Sequence, residues 1–359
     1  MKENLHKKKL LIIELDQFGY LTDSLKWCEH LSDSYDIQMV CYDSGREKVK
    51  IPNVKVHYVK LSHNRILHAA RFFMAAIKAA FFAKGRIIVV AFPHCDIIKR
   101  VLPWKKMQLD IRTVSVSRND KERASFDKQL HNYGQIYDFV SVISEGVKRR
   151  LNLPNATVLP LGADVISEKK KDYSKHHFLY VGTLNSRDID KTIHGVSLFM
   201  KKYPDAQLKY DIIGEGIGCN GKLSDEYRRL VNDLDLNDTV NIHGAKPYSE
   251  LKPFLENASY GVSFVPITPW YNVQPPTKTY EYTMSGLFVI GTATDCNKEI
   301  ITDNNGLLIN DSPEDFARAL EFTLHNHQRI DEDKVRLSLA DFQWENIVNK
   351  MEVEILNKQ

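Results

Sequence analysis

Residues 260–308 read YGVSFVPITPWYNVQPPTKTYEYTMSGLFVIGTATDCNKEIITDNNGLL. The stretch opens with an apolar run, passes through a proline-rich loop and a helical pattern, and ends in further apolar runs. Pro275 and Pro276 disfavour helix before them, so the sequence predicts a helix that begins at Thr277. Strand, loop, helix and strand in this order are typical of a unit in a parallel β-sheet.

The same alternation of apolar runs and helical patterns extends over the whole chain. A first series of predicted strands comprises Leu10–Leu15, Ile37–Tyr42, Val54–Leu61, Ile87–Phe92, Leu109–Val116 and Phe139–Ile143. A second series comprises Phe178–Val181, Leu208–Ile213, Val240–His243, Tyr260–Val265, Phe288–Gly291 and Gly306–Ile309. Strands that alternate with helices predict the α/β class, with two doubly wound, Rossmann-like parallel sheets that bind ligands beyond the carboxyl ends of their strands.

Length and composition limit the number of domains and the kinds of partner that the chain can have. A chain of 359 residues is long enough for two cores, and the polar stretch Ser167–Lys175 predicts a linker between domains at residues 1–170 and 171–341. The formal charge of +3 is too small to predict nucleic-acid binding. The five cysteines are scattered and odd in number, and residues 1–10 are too polar for a signal peptide, so we expect a cytoplasmic protein.

One helical pattern, residues 66–83, is unusually apolar. Its basic residues and four phenylalanines are typical of a helix that lies on a membrane surface, and a helix buried in the core explains the same composition. Interruption by His68, Arg71 and Lys78 argues against a membrane span. Peripheral contact with the inner membrane surface therefore remains one of two interpretations.

Lys278 and Glu281 occupy the start of the helix predicted after Pro276. The free amide groups of a helix N-terminus bind anions, and the helix dipole disfavours a lysine there unless a negative group lies nearby. Glu281 lies one turn further on the same face and could accept hydrogen bonds from ribose hydroxyl groups. The alternative is a surface ion pair between Lys278 and Glu281.

The segments PTKTYEYTMSGLFVIGT (276–292), FLYVGTLNSRDIDKTIHG (178–195) and FQWENIVNK (342–350) resemble GT-B glycosyltransferases of family 4. The resemblance implies two Rossmann-like domains that face a cleft, with residues 342–359 returning as a helix to the first domain. It also implies retaining transfer of a sugar from UDP or GDP to a hydroxyl of a glycan or lipid-linked acceptor, as in surface polysaccharide synthesis. In that family, Glu281 corresponds to the residue that holds the donor ribose.

Two departures from the family pattern concern the donor site. Val273 stands where the family has a glutamate that contacts the donor sugar, so the resemblance does not imply which sugar is transferred. Thr183 and Asp188 stand where the family has an arginine and a lysine. Arg187 and Lys278 could supply these two charges to the departing diphosphate, although Arg187 is equally explained as a surface residue. No DxD-like carboxylate pair directly follows a predicted strand, so we expect neither a metal nor another cofactor.

The remaining candidate residues end predicted strands or begin helices. The resemblance implies donor-binding positions at Gly182, Thr183, Gly214, Gly244, Ala245, Lys246 and Thr277. On the acceptor side, Gly19 and His94 follow predicted strands of the first domain. We assign no general base, because in retaining enzymes of this fold the departing phosphate can accept the proton.

Three other functions compete with this interpretation. Gly216, Gly218 and Gly221 match the G-x-G-x-x-G of dinucleotide-binding proteins, but an acidic residue is missing at the end of the next predicted strand. A GT-B nucleotide-sugar epimerase would need acid and base groups from the first domain, where carboxylates are few near the strand ends. A non-catalytic subunit that binds nucleotide sugars would explain Val273.

Overall fold

A computed structural model describes residues 7–216, 218–219 and 221–357. Most of the N-terminal segment judged too polar for a signal peptide, residues 1–6, lies outside this range. The chain divides into two compact units. The first comprises Met1–Gly162 with Trp344–Gln359, and the second comprises Ala163–Gln343.

The first unit contains a seven-stranded parallel sheet. Its strands are β1 (Lys8–Ile13), β2 (Tyr35–Asp43), β3 (Val54–Lys60), β4 (Arg86–Val90), β5 (Gln108–Ile111), β6 (Phe139–Val142) and β7 (Thr157–Val158). They lie in the order β3-β2-β1-β4-β5-β6-β7. The six predicted strands are confirmed, whereas β7 was not predicted because two residues carry no readable periodicity.

The second unit repeats this plan with six parallel strands. They are β8 (His176–Val181), β9 (Leu208–Ile213), β10 (Val240–Gly244), β11 (Tyr260–Ser263), β12 (Phe288–Thr292) and β13 (Gly306–Ile309). Their order is β10-β9-β8-β11-β12-β13. The order reverses beside β8, so the carboxyl ends of β8 and β11 flank the crevice in which doubly wound sheets bind ligands.

The helices connect successive strands. Those of the first unit are α1 (Thr22–Leu31), α2 (Arg65–Phe82), α3 (Asp96–Val101), α4 (Asp120–Gly134) and α5 (Glu145–Arg150). Those of the second are α6 (Asp190–Lys202), α7 (Lys222–Asp233), α8 (Lys252–Asn257), α9 (Thr277–Met284), α10 (Asp295–Ile300), α11 (Pro313–Asn326) and α12 (Glu332–Leu337). The last helix, α13 (Trp344–Met351), belongs to the first unit, where Trp344 packs against Gly162. Among the described helices, none has the length and apolarity needed to cross a membrane.

The predicted linker Ser167–Lys175 is packed into the second unit, so that prediction was wrong. Ser167 and Tyr173 are buried, and the Tyr173 hydroxyl donates a hydrogen bond of 2.8 Å to the Gly286 carbonyl. Arg336 of α12 donates to the Ser167 carbonyl at 2.8 Å. The stretch keeps most of its charged side chains in solvent, while its buried residues Ser167, Lys171 and Tyr173 attach it to the second unit.

Candidate functional site

Three glycines meet at the carboxyl edge of β8, β9 and β10. The Gly182 N–H donates to the Ile213 carbonyl at 3.0 Å, and the Gly214 N–H donates to the Gly244 carbonyl at 2.9 Å. Gly214 has a φ of +155°, and a Cβ there would lie 1.8 Å from the Gly182 carbonyl oxygen. Only glycine therefore fits at Gly214, which lets the backbone of two strand ends come together.

Helix α9 begins beside this edge, at Thr277, as the two prolines predicted. Pro276 stands at the N-cap and offers no side-chain hydrogen bond to the helix. The exposed Thr277 and the partly buried Lys278 thus occupy a first turn whose dipole favours an anion.

A buried chain of polar side chains holds α9 in place. The Thr279 hydroxyl lies 2.7 Å from the Ser263 hydroxyl and donates to the Asn297 side-chain oxygen at 3.1 Å. Asn297 in turn donates to the Thr292 carbonyl at 2.8 Å. All four side chains are buried. Because each polar group is paired, this chain fixes the helix against β11 and β12.

Tyr282 connects α9 to the end of β8. Its hydroxyl accepts a hydrogen bond of 2.7 Å from the Val181 N–H, one residue before Gly182. Its ring lies where a Cβ on Gly261 would approach to 2.4 Å, so Gly261 makes room for it. These contacts bring the first turn of α9 to the sheet edge at which Gly182, Gly214 and Gly244 meet.

Lys278 consequently reaches across to β8. Its Nζ atom lies 3.7 Å from the centroid of the Tyr180 ring, and only 3.0 Å from where a Cβ on Gly182 would stand. Burial and the nearby Arg187 guanidinium lower the pKa of Lys278 well below its usual range. Lys278 and Glu281 form no ion pair within 4.0 Å, so the alternative of a surface pair is wrong.

Arg187 lies on the loop between β8 and α6. Its guanidinium carbon lies 4.4 Å from the centroid of the buried Tyr271 ring. Both of its neighbours have positive φ angles, 54° at Ser186 and 52° at Asp188. Such angles are costly outside glycine, so the backbone on both sides of Arg187 has an unusual conformation. Arg187 and Lys278 therefore place two basic side chains at the end of β8.

The Glu281 side chain lies in the same region as Lys278. None of the described residues forms a hydrogen bond with its carboxylate. Burial and the nearby Asp164 raise its pKa to about 7, against the opposing effect of Lys278. A carboxylate accepts hydrogen bonds and cannot donate them, so a ligand with adjacent hydroxyl groups would suit it. Sequence reasoning missed two of its neighbours, Asp164 and Tyr248, whose ring is 56% exposed.

A second cluster, also missed from the sequence, joins β8, β9 and β10. The Asp211 carboxylate lies 2.6 Å from His177 Nε2 and 2.8 Å from His243 Nε2. Burial alone would raise the pKa of Asp211, but hydrogen bonds from the two histidines lower it to about 2. Because His243 directly precedes Gly244, the cluster orients the end of β10.

Three further predicted positions surround this edge. Ala245 is exposed directly after Gly244. The Nζ atom of Lys246 lies 3.4 Å from a carboxylate oxygen of Glu250. The Thr183 hydroxyl donates to the Glu215 carbonyl at 3.4 Å. Ala245 and Lys246 thus belong to the loop after β10, whereas Thr183 bridges the strand ends of β8 and β9.

The glycine motif after β9 has a structural explanation. The Glu215 carboxylate accepts hydrogen bonds from the N–H groups of Gly216, Leu223 and Ser224, which lower its pKa against the effect of burial. This carboxylate therefore takes the anion position at the start of α7, where a dinucleotide pyrophosphate would bind. Gly218 and Gly221 have φ angles of +74° and +86°, so the loop needs glycine for its backbone path.

Gly19 and His94 lie in the first unit, after the neighbouring strands β1 and β4. Gly19 has a φ of +96°, and a Cβ there would approach Val49 to 2.4 Å. His94 has a φ of 64°, and its backbone N–H donates to the Tyr133 hydroxyl at 2.6 Å. Its imidazole is exposed and forms no hydrogen bond with the described residues.

The structure offers no candidate metal site within the part of the chain that it describes. Among the described residues, no group of three or more His, Cys, Asp and Glu side chains is arranged to hold a metal ion.

Comparisons with known proteins agree with this architecture. Residues 164–338 match the family model of glycosyl transferases group 1. Anabaena HepE, solved with UDP and glucose, superposes with a TM-score of 0.74 at 10% identity, covering 97% of this chain and 99% of its own. Sucrose-phosphate synthase from Thermosynechococcus elongatus superposes with a TM-score of 0.71 at 15% identity, covering 97% and 98%.

A third solved structure is WaaG, a glycosyltransferase involved in lipopolysaccharide biosynthesis. It superposes with a TM-score of 0.69 at 13% identity, covering 98% of this chain and 100% of its own. No curated protein sequence matches the chain significantly. The long coverage identifies the fold of both units, and the family model identifies the second. Residues 164–338 are therefore similar to the glycosyl transferases group 1 family, within a chain that has the GT-B fold.

Proposed function

We propose that the protein is a retaining glycosyltransferase that moves a sugar from a UDP- or GDP-sugar to a hydroxyl group of a glycan or lipid-linked acceptor. The observation that carries this proposal is the arrangement around α9. Lys278 and Arg187 bring two basic side chains to the helix N-terminus, while Glu281 presents a carboxylate that none of the described residues hydrogen-bonds. A nucleoside diphosphate has the matching groups, two phosphates and a ribose diol.

The transfer exchanges one bond for another at the anomeric carbon of the sugar. The bond from that carbon to the diphosphate breaks, and a bond to the acceptor oxygen forms on the same face. The acceptor proton passes to the departing phosphate. Lys278 and Arg187 stabilise the charge that develops on the diphosphate, which is a role that a metal ion has in other transferases. We accordingly propose transfer without a metal or another cofactor.

The loop after β10 is the proposed reader of the nucleotide base. Ala245 and Lys246 follow Gly244 there, and Tyr248 presents a ring that is 56% exposed beside Glu281. An exposed aromatic ring next to a ribose-binding carboxylate is suited to contact a base. UDP is the favoured nucleotide, because HepE was solved with UDP and with UDP-glucose.

The acceptor side is proposed to lie at the carboxyl edge of the first unit, where Gly19 and His94 follow β1 and β4. The resemblance to WaaG, a protein of lipopolysaccharide biosynthesis, supports a role in surface polysaccharide assembly in the cytoplasm, with peripheral contact at the membrane. The second candidate function is a non-catalytic subunit that binds nucleotide sugars. Val273 favours it, because this position lacks the carboxylate that would contact the donor sugar.

Thermal unfolding in the presence of UDP, GDP, ADP and CMP tests the donor site. We expect UDP or GDP to raise the melting temperature selectively, through mass action on the folded state, and Glu281→Ala and Lys278→Ala to remove this effect. Absence of any shift at millimolar nucleotide would contradict the proposal. Release of UDP from UDP-sugars in the presence of saccharide acceptors then separates the enzyme from the binding subunit, which would retain its ligand unchanged.

A further inference from the structure

Helix α2 turns an apolar face outward. Leu67, Met74 and Phe81 recur at seven-residue intervals and therefore share one side of the helix. All three are exposed, Met74 by 62%, and Phe82 beside them is exposed by 69%. A surface helix normally turns its polar side to water, so this arrangement is the reverse of the usual one.

The inward side of α2 already has its packing partners. Phe72, Ala76 and Ala80 are buried, and the Phe72 ring meets Phe92 edge-on at a centroid distance of 5.5 Å. The helix is therefore attached to the first unit without its outward residues. Folding of this unit does not explain why those residues are large and apolar.

Two more exposed apolar side chains belong to α3 and to the loop that follows it, near the end of α2. Lys105 donates a hydrogen bond of 2.8 Å from its Nζ atom to the Ala83 carbonyl, which ties the loop after α3 to the end of α2. Trp104 on this loop is 64% exposed, and Val101 at the end of α3 is exposed as well. We call the residues Leu67, Met74, Phe81, Phe82, Val101 and Trp104 the α2 surface.

Positive charge surrounds the α2 surface. Arg71 and Lys78 each follow an apolar outward residue by four positions, so they lie on the flank of the same face. Both are exposed, and α2 contains no Asp or Glu. Lys84 and Lys106 add further exposed charges near the end of the helix. A partner with an apolar interior and a negative surface fits this pattern.

We propose that the α2 surface docks the protein on an anionic lipid bilayer, with the aromatic side chains in the interface and the basic residues at the headgroups. The proposal rests on the proposed function, because a lipid-linked acceptor would lie in that bilayer. A second copy of the chain is a poorer occupant. A two-fold contact would bring Arg71 and Lys78 against the same residues of the other copy, and like charges would repel.

Flotation with lipid vesicles tests the proposal on the full chain. We expect the protein to float with phosphatidylcholine vesicles that contain about one third phosphatidylglycerol, and far less with phosphatidylcholine alone. Phe82→Ser combined with Trp104→Ser should lower partitioning at least about tenfold. Lys78→Glu should lower it on anionic vesicles, and added salt should weaken wild-type binding.

Matched controls are available in the second unit. Leu337 is 71% exposed, and Lys201 is an exposed lysine, so Leu337→Ser and Lys201→Glu should float like the wild type. Equal flotation of wild type and α2 variants, no flotation at all, or a wild-type dimer that the α2 variants dissociate would each overturn the proposal. UDP should stabilise every variant equally. If vesicles bind but UDP has no effect, the docking surface stands and the proposed function fails.

Discussion

The Nζ atom of Lys278 lies 3.7 Å from the centroid of the Tyr180 ring, at the end of the central strand β8. The ring face would attract the protonated amine, but no carboxylate of the described residues lies within ion-pair distance of it. The positively charged Arg187 guanidinium lies nearby. A lysine buried beside another cation is costly to protonate, and a bound diphosphate would remove most of that cost.

Lys278 should therefore take up a proton when UDP binds. Its pKa is lowered in the free protein, and two phosphates raise it, so binding strengthens as the pH falls through the interval between the two values. Isothermal titration in buffers of different ionisation enthalpy measures this uptake. Lys278→Met should lose it and weaken UDP binding at least about tenfold. Lys201→Met, at an exposed site, is the control. An unchanged proton uptake in Lys278→Met would reject the assignment.

Arg187→Met should reduce turnover more than donor binding. The guanidinium is held over Tyr271, so the substitution removes charge stabilisation of the departing diphosphate and leaves the ribose site intact. A loss of about hundredfold in kcat, with a smaller change in KM, is expected from steady-state kinetics. Full activity in Arg187→Met would show that Arg187 is a plain surface residue.

Glu281→Gln should stabilise the free protein at alkaline pH while it weakens nucleotide binding. The pKa of Glu281 is raised from 4.5 to about 7, so its ionisation opposes folding. The stability linked to the protonated form is complete below pH 4.5 and is lost as the pH rises through 7. At pH 8 the variant should gain about 1–3 kcal/mol in denaturant unfolding, and at pH 4 the two proteins should be alike. Equal stability at both pH values would contradict the raised pKa.

Gly214→Ala should weaken nucleotide binding at the carboxyl edge of β8, β9 and β10, whereas Gly218→Ala should not. A Cβ on Gly214 would collide with the Gly182 carbonyl, whereas a Cβ on Gly218 meets no atom within 4 Å. Both glycines have positive φ angles, so the pair differs mainly in the collision. We expect Gly214→Ala to lose UDP-dependent thermal stabilisation and Gly218→Ala to keep it. Similar behaviour of the two variants would argue against the close approach of the two strands.

Asp211→Asn should destabilise the protein and loosen the loop after β10, which is proposed to contact the nucleotide base. The pKa of Asp211 is lowered from 3.8 to about 2, so its contribution to stability is present above pH 3.8 and is lost as the pH falls through 2. At pH 7 the loss should be about 1–2 kcal/mol in denaturant unfolding. Because His243 directly precedes Gly244 at the start of this loop, the difference between the binding affinities for UDP and GDP should also become smaller. An unaltered nucleotide preference would limit the cluster to a structural role.

The sequence alone determined most of the strands and the start of α9. Strands that are buried along their length, such as β11 and β12, appear as continuous apolar runs, so they could be located from local pattern. The two prolines marked Thr277 as a helix start because they restrict the backbone directly. Gly214 was named because the family resemblance implies a close backbone approach at this strand end, which glycine permits. These properties depend on a few consecutive residues.

Only the tertiary structure decided which distant side chains meet. The Val181 amide and the Tyr282 hydroxyl are 101 residues apart along the chain, Asp211 is 34 and 32 residues from His177 and His243, and no local period connects these groups. The polar stretch Ser167–Lys175 was predicted as a linker because its partners, such as Arg336, lie far along the chain. The sequence left a membrane-surface helix and a core helix open for residues 66–83, because composition shows that the helix is apolar and basic, while packing decides which side faces the core.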